Sequence, residues 1–98
     1  MSAAHRFLLF ITGRSSIGDR ALANFRTLAN TAYPDNHELE VIDIMRHPGR
    51  AEEYRILAAP TLVRLSPGPM LKIVGDLSAV ERLRQILGMP EGDDHDHA

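Results

Sequence analysis

Residues able to do covalent chemistry are sparse in this chain. Cysteine is missing altogether, which removes a thiol nucleophile, a disulfide framework and a cysteine metal site, so neither thiol nor disulfide activity is expected. The loop "GRSSIG", Gly13 to Gly18, carries two hydroxyls, Ser15 and Ser16, at the start of a helical stretch. A serine nucleophile needs an activating base, and the sequence places no histidine or carboxylate to act on either one. Helix capping is the better reading. Arg14 beside free N–H groups adds only a generic preference for anions. His95 and His97 alternate with Asp94 and Asp96 near the C-terminus, but alternate ligands on a floppy tail do not preorganise a metal site. His5, His37 and His47 are scattered and read as surface or capping residues. No enzyme, metal or cofactor is expected.

The elements that carry these residues fit one small domain. With 98 residues the chain supports one modest core, assigned to residues 1–90, and a disordered acidic and histidine-bearing tail over 91–98. That tail holds Glu91, Asp93, Asp94 and Asp96, and without it eleven bases face nine acids. The bases, ten of them arginine, are not interleaved with aromatics, so no nucleic-acid surface is expected. "FLLFI" (Phe7 to Ile11) is too short for a membrane span and has no cleavage signature behind it. A soluble cytoplasmic protein is the resulting expectation.

Periodicity gives the order. "RFLLFIT" is a short apolar run ending at Gly13 and reads as a buried strand. Ile17, Ala21, Leu22, Phe25, Leu28, Ala29 and Ala32 form one helical stripe, with Ser16 and Asp19 as the expected capping pair. "HELEVIDI" alternates Leu39 and Val41 with Glu38 and Glu40, the pattern of a strand with one wet face. Pro48 suits a first helical position and Ala51 to Leu57 favours helix, with Gly49 against it. "PTLVRL" and "MLKIV" read as two strands around the proline-rich turn Ser66–Pro69. The last helix is expected to open on a Ser78–Glu81 box and to stop at Gly88 and Pro90. The order is βαβαββα: an α/β chain with the thioredoxin arrangement, its first unit parallel with a right-handed crossover.

Several motifs then fall into a known order and spacing. They are "VID" (Val41 to Asp43), Pro48, "AEE" (Ala51 to Glu53), "IL-A-x-PTL" (Ile56 to Leu62), the proline loop at Pro67 and Pro69, and "IVGDLS" (Ile73 to Ser78). Over roughly residues 6–87 the chain resembles the KaiB family of circadian-clock proteins. That resemblance implies a thioredoxin-like fold without redox cysteines, which docks on the ATPase KaiC. It also implies metamorphism: a rearranged βαββααβ form that assembles into tetramers, with the rearranging half starting near Pro48. Pro60, Gly75, Asp76 and Ser78 are the residues assigned to that switch. An X–Pro bond is trans by default; the resemblance implies cis at Pro60 in the thioredoxin-like form.

The same resemblance points to partner-binding residues. Arg20 and Lys72 match basic positions used against KaiC, although Leu71 stands where the family often has an arginine. Glu38 and Glu40 stand on a docking edge where clock members tend to carry a small residue and a lysine. The implied function is a non-catalytic regulator of a KaiC-type ATPase, resting as a dimer or tetramer. The alternative is a paralogue serving stress or signalling with another partner, such as a histidine kinase. A cysteine-free thioredoxin-like enzyme ranks behind both.

Overall fold

The computed structural model describes residues 3–89. The tail read as disordered and a weak metal candidate, 91–98, lies outside them. The chain runs β1 (His5–Ile11), α1 (Ser16–Ala32), β2 (His37–Asp43), α2 (Pro48–Glu53), β3 (Thr61–Ser66), β4 (Leu71–Val74) and α3 (Val80–Leu87). This is the expected βαβαββα order and not the rearranged one. The strands form one sheet ordered β2-β1-β3-β4. β1 and β2 are parallel, joined through α1; β1/β3 and β3/β4 are antiparallel. No helix among the described residues is long and apolar enough to cross a membrane.

Phe7 to Ile11 of β1 are apolar without interruption because both faces of the strand are covered there. Phe7 and Leu9 face α1 and α3, packing with Phe25, Leu28, Leu62, Leu83 and Leu87. Phe7 and Phe25 meet edge to face, centroids 4.8 Å apart. Leu8 and Phe10 face the other way, where Ile42, Val63 and Ala51 of α2 form a smaller cluster. α2 has only six residues, so it covers only part of that face. The peptide bonds preceding Pro60, Pro67 and Pro69 are cis.

Three local expectations need correction. The cap of α1 is Ser15, one residue before Ser16: its Oγ accepts from the Gly18 N–H at 3.1 Å. Gly18 explains the choice, since a Cβ there would meet Ser15 Oγ at 3.0 Å and Ile11 Cγ2 at 3.4 Å. The missing side chain lets the cap close while the helix lies on β1. Second, the Ser78–Glu81 box does not form. Asp76 Oδ1 accepts from the Ser78 N–H at 3.1 Å, and Glu81 pairs with Arg84 at 3.0 Å. An Asx-type turn therefore takes the place of a cap, and α3 starts behind Ala79 with no side-chain cap. Third, α2 starts at Pro48 and ends at Glu53, earlier than the helix-favouring run to Leu57. Arg55 turns left-handed, φ 55°, and the chain leaves the helix with Leu57 97 % exposed.

Candidate interaction surface

Strand register builds a row of four residues across the α2-bearing face. Glu40 pairs with Leu8, Leu8 with Val63, and Val63 with Lys72. An apolar pair thus lies between a carboxylate at one edge and an ammonium at the other. Three strand spacings separate the ends by roughly 14 Å. Both β2 and β4 are edge strands, each with one backbone side free to accept another strand.

The β2 end of the row is neutralised within the chain. Arg50 of α2 donates Nη1 to Glu40 Oε2 at 3.1 Å and Nη2 to Glu40 Oε1 at 3.2 Å. That fork holds the Glu40 carboxyl below its ordinary range, and Glu40 in turn raises Arg50. Arg6 Nε lies 3.5 Å from Glu38 Oε1, and the Ala3 N–H donates to Glu38 Oε2 at 3.2 Å. The two glutamates that the sequence places on this edge therefore each face an arginine. A shallow depression of about 130 Å³ lies among Arg6, Leu8, Glu38, Glu40 and Leu65.

Lys72 sits at the other end. Arg55, Leu57, Ala58, Thr61, Lys72 and Val74 line an open groove of about 210 Å³. Val74 is 63 % exposed. An isolated exposed Leu or Val is ordinary; two beside the free edge of β4, flanked by the cations Lys72 and Arg55, form a patch that can bury against a partner.

Arg20 is not part of this row. It belongs to α1, on the opposite layer, and its Nη1 lies 3.6 Å from Asp76 Oδ2. Asn24, one turn on, donates Nδ2 to the Asp76 carbonyl at 2.8 Å. The β4–α3 loop is thus tied to α1 at both ends of Asp76. Hydrogen bonds from Ser78 hold the Asp76 carboxyl below its usual range, with Arg20 adding to the effect. Gly75 has φ 125°, a conformation open to glycine, and its N–H donates to the Pro60 carbonyl at 2.9 Å. Two residues on, Leu77 is left-handed, φ 64°, yet 5 % exposed, so core packing holds a strained backbone in place.

In the loop that holds the redox centre in thioredoxins, hydrogen bonding serves structure. Asp43 Oδ1 accepts from the N–H groups of Gly13 and Met45, each at 2.9 Å. The Gly13 bond is the main reason the Asp43 carboxyl lies below its ordinary range. Ser15 Oγ is engaged as the cap. Sequence reasoning missed Arg50, Arg6, Asn24 and Leu57. Contacts of the first three come from tertiary register, which no local pattern encodes. Leu57 carried one usable signal, as a large apolar residue directly before Ala58-Ala59-Pro60, a stretch that cannot continue a helix.

Comparison with known proteins agrees with this architecture. The family described as the KaiB domain matches residues 8–89. A circadian clock protein, KaiB3 of Synechocystis sp., is 38 % identical over 87 residues, covering 86 % of this chain and 83 % of that protein. A circadian clock oscillator protein KaiB of Prochlorococcus marinus is 40 % identical over 75 residues, 76 % of this chain and 64 % of its own length. Among solved structures, the N-terminal domain of Synechococcus elongatus SasA superposes with TM-score 0.71 at 24 % identity, covering 94 % of this chain and 90 % of that one. The thioredoxin Deadhead of Drosophila melanogaster does so with TM-score 0.67 at 19 % identity, covering 86 % and 78 %. These two likenesses establish the thioredoxin-like fold. The match across residues 8–89, with 38 % identity to a relative covered over 83 % of its length, makes this chain a member of the KaiB family.

Proposed function

We propose that this KaiB-family protein is a non-catalytic regulator that docks on a KaiC-type ATPase of a timing system. The docking surface is the α2-bearing face with its two edges, and Glu38, Glu40 and Lys72 are its charged contacts. The observation that carries this reading is the groove beside β4, where Leu57 and Val74 lie open next to Lys72. An apolar anchor ringed by polar groups is the arrangement that concentrates binding energy. In this reading Arg20 acts through Asp76, fixing the β4–α3 loop and so the position of β4.

The proposal includes a resting homo-oligomer in the rearranged order, with Pro60, Gly75, Asp76 and Ser78 in the segment that changes. Family membership supports it, and sizing of the free protein over a concentration series tests it. The second partner class is a histidine kinase or another signalling protein. It is the reading left if the ATPase does not bind.

The deciding experiment is a titration of purified protein against a purified KaiC-type ATPase with nucleotide. Wild type should bind, and Leu57→Ser combined with Lys72→Glu should weaken binding about tenfold or more, the loss typical of a hot-spot pair. Equal binding by both would remove the groove from the interface. No binding by wild type would reject the ATPase as partner.

A further inference from the structure

His5 opens β1, His37 opens β2, and the parallel register sets them opposite each other. Tyr33, the C-cap of α1, lies flat on the His5 ring with centroids 3.6 Å apart and planes at 7°. His37 Nδ1 meets the Tyr33 carbonyl at 2.8 Å, and Phe25 presents its ring at 79° to His37. From β3 comes Arg64, pinned by bonds from Nη1 to the Leu87 carbonyl at 2.9 Å and from Nη2 to the Pro69 carbonyl at 3.2 Å. The His5 Nδ1 atom is sealed from solvent with no hydrogen-bond partner.

The charges around His5 have one sign. Arg64 acts on it from β3 and His37 from β2, both against protonation, while Tyr33 of α1 stays neutral, its phenol raised by burial. Glu38, the carboxylate next to His37, projects to the opposite face with Arg6. We propose that this cluster, two imidazoles on Tyr33 with Arg64 on the neighbouring strand β3 and no carboxylate among them, is an acid-sensitive fastener: protonating His5 loosens the start of β2 and the end of α1 from β1.

The sign follows from the surroundings. Burial first, then Arg64 and His37, hold His5 below the ordinary value of 6.5. The folded protein therefore binds fewer protons at this site than the unfolded chain. Stability from this site is complete above pH 6.5 and declines below it, until the folded imidazole itself is charged. A charged ring would gain from the Tyr33 face, but a proton on Nδ1 would point at no acceptor. The opposition of Arg64 and burial outweighs that gain. Because β2 is an edge strand, its start has β1 as its one sheet neighbour, and loosening it alters the edge without unfolding the core.

The test combines an NMR titration of the His5 ring in the full chain with denaturant unfolding between pH 8 and 5. The His5 midpoint should lie below 6.5. Arg64→Gln should move it upward. His5→Phe keeps a ring on Tyr33 and removes the proton. Its unfolding constant should rise less steeply below pH 6.5 than that of wild type, the difference approaching about tenfold per pH unit, the limit for one proton. Amide exchange at His37 to Leu39, corrected for intrinsic rates, should speed up over the same range ahead of Leu9 and Val63. A His5 midpoint at or above 6.5, or identical pH slopes in wild type and His5→Phe, overturns the proposal. If Arg64→Gln does not fold, those two measurements decide alone.

Discussion

Arg50 and Glu40 meet through two parallel hydrogen bonds, 3.1 and 3.2 Å, that tie α2 to the outer strand of the sheet. The pair changes what the β2 edge presents to a partner. Two glutamates alone would repel an acidic surface; glutamates paired with Arg6 and Arg50 leave an edge near neutrality whose sign is easily tipped. Glu38→Ala with Glu40→Lys removes both acids and frees both arginines, leaving three positive charges where the sum was zero.

The double variant should therefore bind an acidic docking surface more tightly than wild type does, and a basic one more weakly. Both changes should shrink as salt rises, since exposed charges are screened beyond about 10 Å at 0.1 M. Parallel titrations at low and high ionic strength measure this. Affinities that do not change with the substitution, or do not respond to salt, would exclude the edge charges from recognition.

Ser15→Ala should destabilise the protein by about 1 kcal/mol, because the Gly18 N–H loses its acceptor. Ser16→Ala should lie within about 0.5 kcal/mol of wild type, as expected for an exposed position without such a bond. Denaturant midpoints of the two variants decide it. A larger loss at Ser16 would return the cap to that residue.

Gly75→Ala should cost about 1 kcal/mol or more. A Cβ there meets nothing within 4 Å, so the cost is conformational, from φ 125°, and not a clash. If the rearranged form relaxes that angle, the variant should also raise its share, read as a second set of amide resonances or a larger species on sizing. An unchanged denaturant midpoint would mean that the φ 125° conformation carries no cost here.

Acid should unfold the protein through Asp43, Asp76 and Glu40 together. All three are held below their ordinary range: Asp43 chiefly by the Gly13 N–H, Asp76 by Ser78, Glu40 by Arg50. A lowered folded value means the unfolded chain binds more protons. The stability these groups supply is present above about pH 5 and is lost as pH falls through the ordinary carboxylate values toward the folded ones. Asp43→Asn should flatten this acid limb by the share of one group. An acid limb of unchanged slope in that variant would count against the Gly13 and Met45 bonds.

The sequence was legible where side chains answer to their own segment. Phe7 to Phe10 read as a strand buried on both faces because no polar residue interrupts it, and they are all buried. The α1 stripe found the core from Ala21 to Ala29 because its apolar residues recur at the helical period, while its first member, Ile17, is 44 % exposed. What stayed hidden depends on distant neighbours. Ser15 and Ser16 are chemically alike, and Gly18 against Ile11 is what chooses between them. Asp76 displaced Ser78 as the organiser of its turn, since a carboxylate also bonds the backbone two residues on. The family resemblance paired Arg20 with Lys72 as basic contact positions, but the crossover through α1 puts one layer of sheet between them.

The strongest test of docking through the α2-bearing face is an amide hydrogen-exchange footprint of the full chain, with and without a saturating KaiC-type ATPase. Protection should appear at Leu57 and along Lys72 to Val74, extend to Glu38 and Glu40 on the β2 edge, and leave the outward side of α1 around Thr27 and Thr31 unchanged. Protection centred on α1 and α3, with Leu57 and Lys72 exchanging as in the free protein, would contradict it.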